Sequence, residues 1–306
     1  MKSIVVLGIF VADATYRAAR MPRMGETILG SGFALGPGGK GSNQAVAAAR
    51  AGGDVRFITR LGRDEFAKMA HQVWTEAGVQ ALVYEDTDSY TGAAMIFVDE
   101  ASGDNAIIVS PGAAGRILPQ DVAAQSAAIA AAGIFMTQLE QPMPAAQAGL
   151  ALARKHGVMT ILNPAPAAAL SNELLSLCDL ITPNETEAEA LTGISVTDRA
   201  SAEAAAAALL ARGVGAAVLT LGDKGVLYSA GKGALHVPAF YAGPLVETTG
   251  AGDAFNGGLA VALAEGREIE SALRFGCALA GISVTRAGAA ASMPRRAEIE
   301  ALLAKA

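Results

Sequence analysis

Two glycine clusters in this chain stand where they can hold an anion, and one of them adjoins a carboxylate. The second cluster runs Glu247-Thr248-Thr249-Gly250-Ala251-Gly252-Asp253-Ala254-Phe255-Asn256-Gly257-Gly258 and passes directly into the apolar stretch Leu259 to Ala264. Its spacing predicts that the backbone amides of Gly250, Ala251 and Gly252 converge at a helix N-terminus, where unpaired N–H groups favour negative charge. Asp253 falls in the first turn beside that nest. An acidic residue there is often only a helix cap, but capping leaves the preceding glycines unexplained. A carboxylate next to an anion nest is what phosphoryl transfer to an alcohol needs, because the hydroxyl must lose its proton as the phosphoryl group arrives. Asp253 is placed to accept that proton.

The first cluster, Gly36-Pro37-Gly38-Gly39-Lys40-Gly41-Ser42-Asn43-Gln44, also leads into a helical pattern and sets free N–H groups beside a cation and two amides. Such a surface suits a polyhydroxy or anionic ligand. As a dinucleotide fingerprint it fails, since it lies far from the first strand and no acidic residue stands about 20 positions on. As a Walker A loop it fails too: Gly41 follows Lys40 where Ser or Thr is needed, and Ala34 occupies the first glycine position.

These residues need a frame to hold them. The 306 residues suffice for one large α/β domain with an accessory element, and slightly over half are apolar. No apolar run approaches the roughly 18–20 residues that span a bilayer, so a soluble protein is expected. The opening Met1-Lys2-Ser3 followed by Ile4 to Gly8 reads as a core strand without a cleavage site, which predicts a cytoplasmic location. Cys178 and Cys277 are far apart, with no CxxC or His cluster, so neither a disulfide framework nor structural zinc is expected. A net charge of −6 without a basic stripe argues against nucleic acid. His71, His156 and His236 are widely spaced and suggest no metal centre or triad, and Trp74 in an amphipathic helix reads as packing.

Strand patterns at Val55 to Leu61, Ile134 to Leu139, Val158 to Leu162, Leu180-Ile181 and Ala216 to Leu221 alternate with helical ones, as βαβ units do. Two stretches depart from that rhythm. Between Asp13 and Leu35, Thr27 to Leu29 and Ser31 to Leu35 read as short strands. Between Ala81 and Val109, so do Leu82 to Tyr84, Ala93 to Val98 and Ala106 to Val109. From Ala251 onward the chain reads as almost wholly helical, the last segments covering Ile269 to Val284 and Ala297 to Leu303. The expected fold is α/β, a doubly wound and mostly parallel sheet flanked by helices, with a β-rich appendage.

Both clusters, in this order, resemble the two signatures of the ribokinase-like (PfkB) carbohydrate kinases. Further matches are Gln138-Leu139-Glu140, Asn163-Pro164-Ala165-Pro166-Ala167, Thr182-Pro183-Asn184-Glu185-Thr186-Glu187-Ala188-Glu189 and Thr220-Leu221-Gly222. The resemblance extends along essentially the whole chain. It implies a single domain over 1–306, with a discontinuous β lid formed by about 13–37 and 89–110 that closes over a sugar and often makes a dimer clasp. It also implies ATP-dependent phosphorylation of a small sugar, D-ribose first, with deoxyribose, another pentose, fructose or a nucleoside as alternatives. A sugar sensor without catalysis is disfavoured, because binding alone does not need Asp253.

Carried over by motif, the sugar site would comprise Val11, Asp13, Gly39, Lys40, Asn43, Glu140 and Asp253, with Ala94 and Ile96 as apolar cover. The nucleotide would meet Asn184, Thr220, Leu221, Gly222, Asp223, Lys224, Gly225, Gly252, Asp253 and Cys277. Asn184 and Glu187, one helical turn apart, would organise water around Mg²⁺, although Asn184 can equally be a helix cap. A potassium-like cation site would draw on Glu247, Thr249, Ser283, Arg286, Gly288 and Ser292. The chain departs from the family pattern twice: Glu247 replaces Asp, and Val11 replaces an Asn two residues before Asp13. Valine cannot hydrogen-bond a sugar hydroxyl.

Overall fold

The computed structural model describes residues 2–305. The chain forms β1 (Ile4–Leu7), then β2 (Val11–Ala18) and β3 (Gly32–Gly38), and turns at Gly39 into α1 (Lys40–Arg50). β4 (Val55–Leu61), α2 (Glu65–Ala77) and β5 (Gln80–Glu85) follow, then β6 (Thr91–Asp99) and β7 (Asn105–Gly112). Short helices α3 (Pro119–Ala124) and α4 (Ser126–Ala130) lead to β8 (Ile134–Thr137), α5 (Met143–Lys155) and β9 (Met159–Leu162). Next come α6 (Asn172–Leu175), β10 (Leu180–Ile181), α7 (Glu185–Thr192), α8 (Arg199–Ala211) and β11 (Ala216–Thr220). A hairpin of β12 (Val226–Ser229) and β13 (Ala234–Val237) precedes α9 (Ala251–Ala264), α10 (Ile269–Ser283) and α11 (Arg296–Leu303).

The main sheet has nine strands in the order β13-β12-β11-β10-β9-β8-β1-β4-β5. From β11 to β5 every pairing is parallel, and β12 and β13 are added antiparallel. A parallel sheet is covered on both faces, so its central strands read as unbroken apolar runs. In β1 the run divides by pleat: Ile4 and Val6 join the core beneath α1, α9 and α10, whereas Val5 and Leu7 join the core beneath α5 and α8. Helix and strand approach closely where α1 starts. A β-carbon on Gly41 would stand 2.7 Å from the Cα of Gly8, so only a glycine pair lets α1 sit this near the end of β1.

This topology gathers the polar residues of interest at one edge. Gly8, Gln138, Asn163, Thr182 and Thr220 all lie at or just beyond the carboxyl ends of parallel strands, where open α/β sheets bind ligands. The N-termini of α1 and α9 point into the same region.

A separate four-stranded sheet, in the order β3-β2-β6-β7, stands beyond that edge. β2 pairs antiparallel with β3 and parallel with β6, whose other neighbour, β7, is antiparallel. Tyr16, Phe33, Leu35, Ile107, Ile108 and Val109 are exposed on it.

Three local expectations are corrected. Thr27 to Leu29 forms no strand, and the sheet uses Val11–Ala18 instead, a segment whose polar residues hide its period. Leu82 to Tyr84 belongs to β5 at the edge of the main sheet, not to the second sheet. The third difference is an addition, the β12–β13 hairpin, whose four-residue strands around Gly231 and Gly233 carry too little periodicity to show in the sequence.

Candidate active site

The site is built on Asp253 in the first turn of α9, which is 6 % exposed. Its Oδ2 accepts a hydrogen bond from Asn43 Nδ2 at 3.0 Å, and its Oδ1 accepts one from Gln44 Nε2 at 3.0 Å. Both donors come from the first turn of α1, held against α9 where Gly257 would have no room for a β-carbon against Ala47. Gln44 is itself fixed, its Nε2 also reaching Asn163 Oδ1 at 3.1 Å while its Oε1 accepts from Gln138 Nε2 at 2.5 Å. Asn163 donates to the Thr182 carbonyl at 3.0 Å, the Thr182 hydroxyl to Asn256 Oδ1 at 2.7 Å, and Asn256 to the Gly252 carbonyl at 2.8 Å. A run of buried amides thus leads from the base of the sheet to Asp253 and back to the nest. Buried networks of this kind fix side-chain orientation. Of these residues, the sequence points only to Gln44, as an amide beside Lys40, and not to its contact with Asp253. Gln138, Asn163 and Thr182 close otherwise apolar strand patterns, whereas Gln44 and Asn256 lie within α1 and α9.

The nest differs in detail from expectation. Gly250 caps α9 in a left-handed conformation, φ +78°, which glycine adopts without strain. The Ala251 N–H is not free but donates to the Thr248 carbonyl at 3.1 Å. The open donors are the N–H groups of Gly250, Gly252 and Asp253, which find no acceptor among the described residues. A β-carbon at Gly252 would meet nothing within 4 Å, so this edge of the helix faces open space.

Charges crowd around Asp253. Burial raises its pKa, opposed by the Lys40 cation and by the Asn43 and Gln44 hydrogen bonds. Burial would lower that of Lys40, but Asp253, Glu140 and Glu187 outweigh it and hold the ammonium above its ordinary value. Glu140 accepts from the Lys40 N–H at 2.7 Å, and burial pushes its carboxyl up to about 7 against the pull of Lys40. Asp13, whose carboxylate lies over Gly38, is raised to about 6 by burial and by repulsion from Asp253. Glu187 is also raised, chiefly by burial.

These carboxylates make stability pH-dependent. Below about 4.5 Glu140 is protonated whether folded or not; between that and about 7 the unfolded chain ionises first, so stability falls as pH rises. Asp13 acts in the same direction up to about 6. The ligand-free protein is expected to melt at a lower temperature at pH 7.5 than at pH 5, and Glu140→Gln to flatten that slope in scanning fluorimetry. Equal slopes would mean that Glu140 is not the group responsible.

Two cavities meet at the start of α9, and Asp253 lines the smaller of them. The smaller, about 220 Å³, is lined by Lys40, Asn163, Thr182, Glu187, Asp253 and Asn256 among others. The larger, about 560 Å³, lies between the β11–β12 turn and α10 and includes Gly222, Asp223, Gly225, Phe240, Tyr241 and Cys277. Both include Asn184, Thr220, Thr248, Ala251 and Gly252, which form the passage between them. Of the residues expected around a nucleotide, Leu221 and Lys224 line neither: Leu221 is turned into the core, and Lys224 is exposed in the turn. Val11, 3 % exposed, is packed in the same apolar cluster as Ala94, with partly buried Ile96 against it.

Asn184 and Glu187 are both near the passage. Asn184 caps α7, its Oδ1 accepting from the Glu187 N–H at 2.8 Å, and Glu187 Oε2 accepts from the Asn184 N–H at 2.9 Å. Of the residues expected around a monovalent cation, Glu247 and Gly288 are in contact, the Gly288 N–H donating to Glu247 Oε2 at 2.9 Å. The Ser283 and Ser292 hydroxyls donate to the Ala280 and Ala289 carbonyls at 2.8 Å each, and the Arg286 guanidinium pairs with Glu298 instead.

A family model described as pfkB family carbohydrate kinase matches residues 1–296. The chain belongs to this family. It is 41 % identical to the ribokinase of Haemophilus influenzae over 298 residues, covering 97 % of each chain. It is 34 % identical to the deoxyribokinase of Salmonella typhi over 293 residues, covering 95 % of each. The structure of Arabidopsis thaliana ribokinase complexed with ribose and ATP superposes with a TM-score of 0.93 at 32 % identity, covering 99 % of this chain and 98 % of that one. This PfkB chain is an ATP-dependent carbohydrate kinase with the ribokinase-like fold.

Proposed function

We propose that this PfkB kinase transfers the γ-phosphoryl group of ATP to the 5-hydroxyl of D-ribose, with Asp253 as general base. The observation that carries the reading is that Asp253, its carboxylate held by Asn43 and Gln44, lines the smaller cavity next to Gly252, which lines both cavities and whose N–H is open. The larger cavity has the size and apolar lining for an adenosine moiety, with Asn184, Thr220, Gly222, Asp223, Gly225 and Cys277 on its wall. Asp13, Lys40, Asn43 and Glu140 offer the hydrogen-bonding groups that a sugar's vicinal hydroxyls need, next to Gly39.

In the transfer, the sugar O–H bond breaks and its proton goes to an Asp253 oxygen. The sugar oxygen bonds to the γ-phosphorus, whose bond to the bridging oxygen breaks to release ADP. The N–H groups at the start of α9 stabilise the charge that spreads over the moving phosphoryl oxygens. Glu187 and Asn184 fit a hydrated Mg²⁺: Glu187 is a buried carboxylate whose Oε1 takes no protein hydrogen bond among the described residues. Held through water by these two residues, the ion would offset the charge of the nucleotide phosphates.

The segments 13–37 and 89–110, which supply most of the second sheet, act as a lid of a single domain, excluding water that would otherwise compete with the sugar. Two copies pair through its exposed apolar side chains to give a homodimer. Glu247, Thr249, Ser283, Arg286, Gly288 and Ser292 offer carboxylate, hydroxyl and carbonyl oxygens to K⁺. The protein works in the cytoplasm, where ATP is available; no helix among the described residues is long and apolar enough to cross a membrane.

Val11 favours a second acceptor, 2-deoxyribose. It buries a branched apolar side chain beside Ala94 where the family pattern has an amide, so a sugar lacking one hydroxyl leaves no donor unpaired there. ADP release measured over D-ribose, 2-deoxyribose, fructose, nucleosides and sugar acids, with and without K⁺, separates the two. D-ribose is expected to give the highest kcat/KM, and Val11→Asn to widen its lead over 2-deoxyribose by about tenfold. A preference for 2-deoxyribose that Val11→Asn reverses would establish the second reading, and no turnover on any pentose would remove both.

A further inference from the structure

Arg50, the last residue of α1, plays no part in the chemistry above. Its Nη1 lies 2.9 Å from the Ala290 carbonyl oxygen, 3.2 Å from that of Ala291 and 3.1 Å from that of Met293. One guanidinium nitrogen therefore faces three carbonyls of the turn that follows α10. No carboxylate pairs with it among the described residues. Burial, and then the neighbouring cations of Arg295 and Arg286, push its pKa down from the usual arginine value. A half-buried cation satisfied by backbone oxygens alone holds backbone in place instead of neutralising a charge.

The turn it holds is the floor of the anion nest. A β-carbon on Gly250 would stand 3.0 Å from Ala289 Cβ and 3.5 Å from Met293 Cε, so the cap of α9 rests directly on this turn. On its other side the Gly288 N–H is bound by Glu247, three residues before Gly250. At the opposite end of the same α1, Asn43 and Gln44 hold the Asp253 carboxylate. One helix thus grips the base at its N-terminus and the support of the nest at its C-terminus.

We propose that Arg50 is a positioning residue: by fixing the turn 288–293 to α1, it sets where the nest stands relative to Asp253. The proposal rests on the roles given above to Asp253 and the nest, and a variant of Asp253 tests those separately. Misplacing reacting groups by a fraction of an ångström is costly, so a loss of about tenfold is expected when the grip is released.

The test compares Arg50→Met and Arg50→Lys by steady-state ADP release, using whichever acceptor gives the parent its highest turnover, together with thermal melts. Arg50→Met is expected to lower kcat about tenfold, with KM for sugar and ATP within twofold of the parent. Arg50→Lys is expected to recover most of the loss, because an ammonium presents three N–H donors to the three carbonyls. Parent-like kcat in Arg50→Met would overturn the proposal. So would a loss that disappears at 10 °C, where a merely destabilised variant is fully folded, or a lysine variant that melts like the parent yet turns over no faster than the methionine one. If Arg50→Met does not fold, Arg50→Gln, which keeps a single amide donor, is judged by the same criteria.

Discussion

Asp253→Asn is expected to lower kcat by roughly 10³-fold while leaving sugar and ATP binding within a few-fold of the parent by calorimetry. The replacement is close in volume, and its amide has to be accommodated in a network built to donate to a carboxylate. Gln44 cannot turn to meet it, because both ends of its amide are committed to Asn163 and Gln138. Asn43 can: its Oδ1 is buried without a partner, so a flip presents an acceptor to the new amide and strands nothing further. Folding should therefore survive, and the loss should lie in proton acceptance alone. Near-normal turnover would remove Asp253 as the base, and loss of binding would make it a ligand of the substrate.

Lys40→Met is the second large effect. The ammonium stands among Asp253, Glu140 and Glu187, whose burial already raises all three pKa values. Removing the cation leaves mutual repulsion unopposed, and stranding buried charge costs about 3–5 kcal/mol unless the groups take up protons. They will take them up, so Asp253 is protonated over more of the neutral range and cannot act as base. The expected result is a kcat reduced by about 10²-fold at pH 7, with the acid limb of the kcat/KM profile displaced to higher pH. The sign follows from the cause: Lys40 favours the ionised carboxylates, and its absence demands a higher pH to ionise them. A similar loss with an unmoved acid limb would assign Lys40 to the nucleotide phosphates instead.

The sequence carried some parts of this architecture openly and others not at all. Leu180-Ile181 is legible with its observed bounds as a short apolar run between Asp179 and Thr182, and Val55 to Leu61 because its β-branched and large apolar residues Val55, Phe57, Ile58 and Leu61 recur among polar ones over a strand's length. The second sheet was harder: Val11–Ala18 alternates polar and small residues over a face that meets the main sheet at one end and solvent at the other. The hairpin after β11 was lost because a sheet that has been parallel for seven strands gives no local hint that it will reverse. At the site, Asp253 and its glycines were legible since a carboxylate after Gly-x-Gly is rare without a purpose. The network of buried amides was not, because Gln138 and Asn163 look like ordinary polar strand ends and Gln44 and Asn256 like ordinary polar helix residues. Only the fold brings Gln138 and Gln44, 94 positions apart, into contact.

The second sheet joins α1 with almost no slack. β3 ends at Gly38, α1 begins at Lys40, and the single residue between them, Gly39, has φ +89° and would drive a β-carbon to 2.5 Å from the Ile9 carbonyl. Gly39 is bonded to Lys40, whose ammonium balances the three carboxylates, so under the lid role proposed above a movement of β3 would be passed directly to that residue. Covering the acceptor and adjusting the charges would then be one movement, not two in succession. A PfkB chain wired this way would tie the charge balance around its base to the cover over its acceptor by chain connectivity alone.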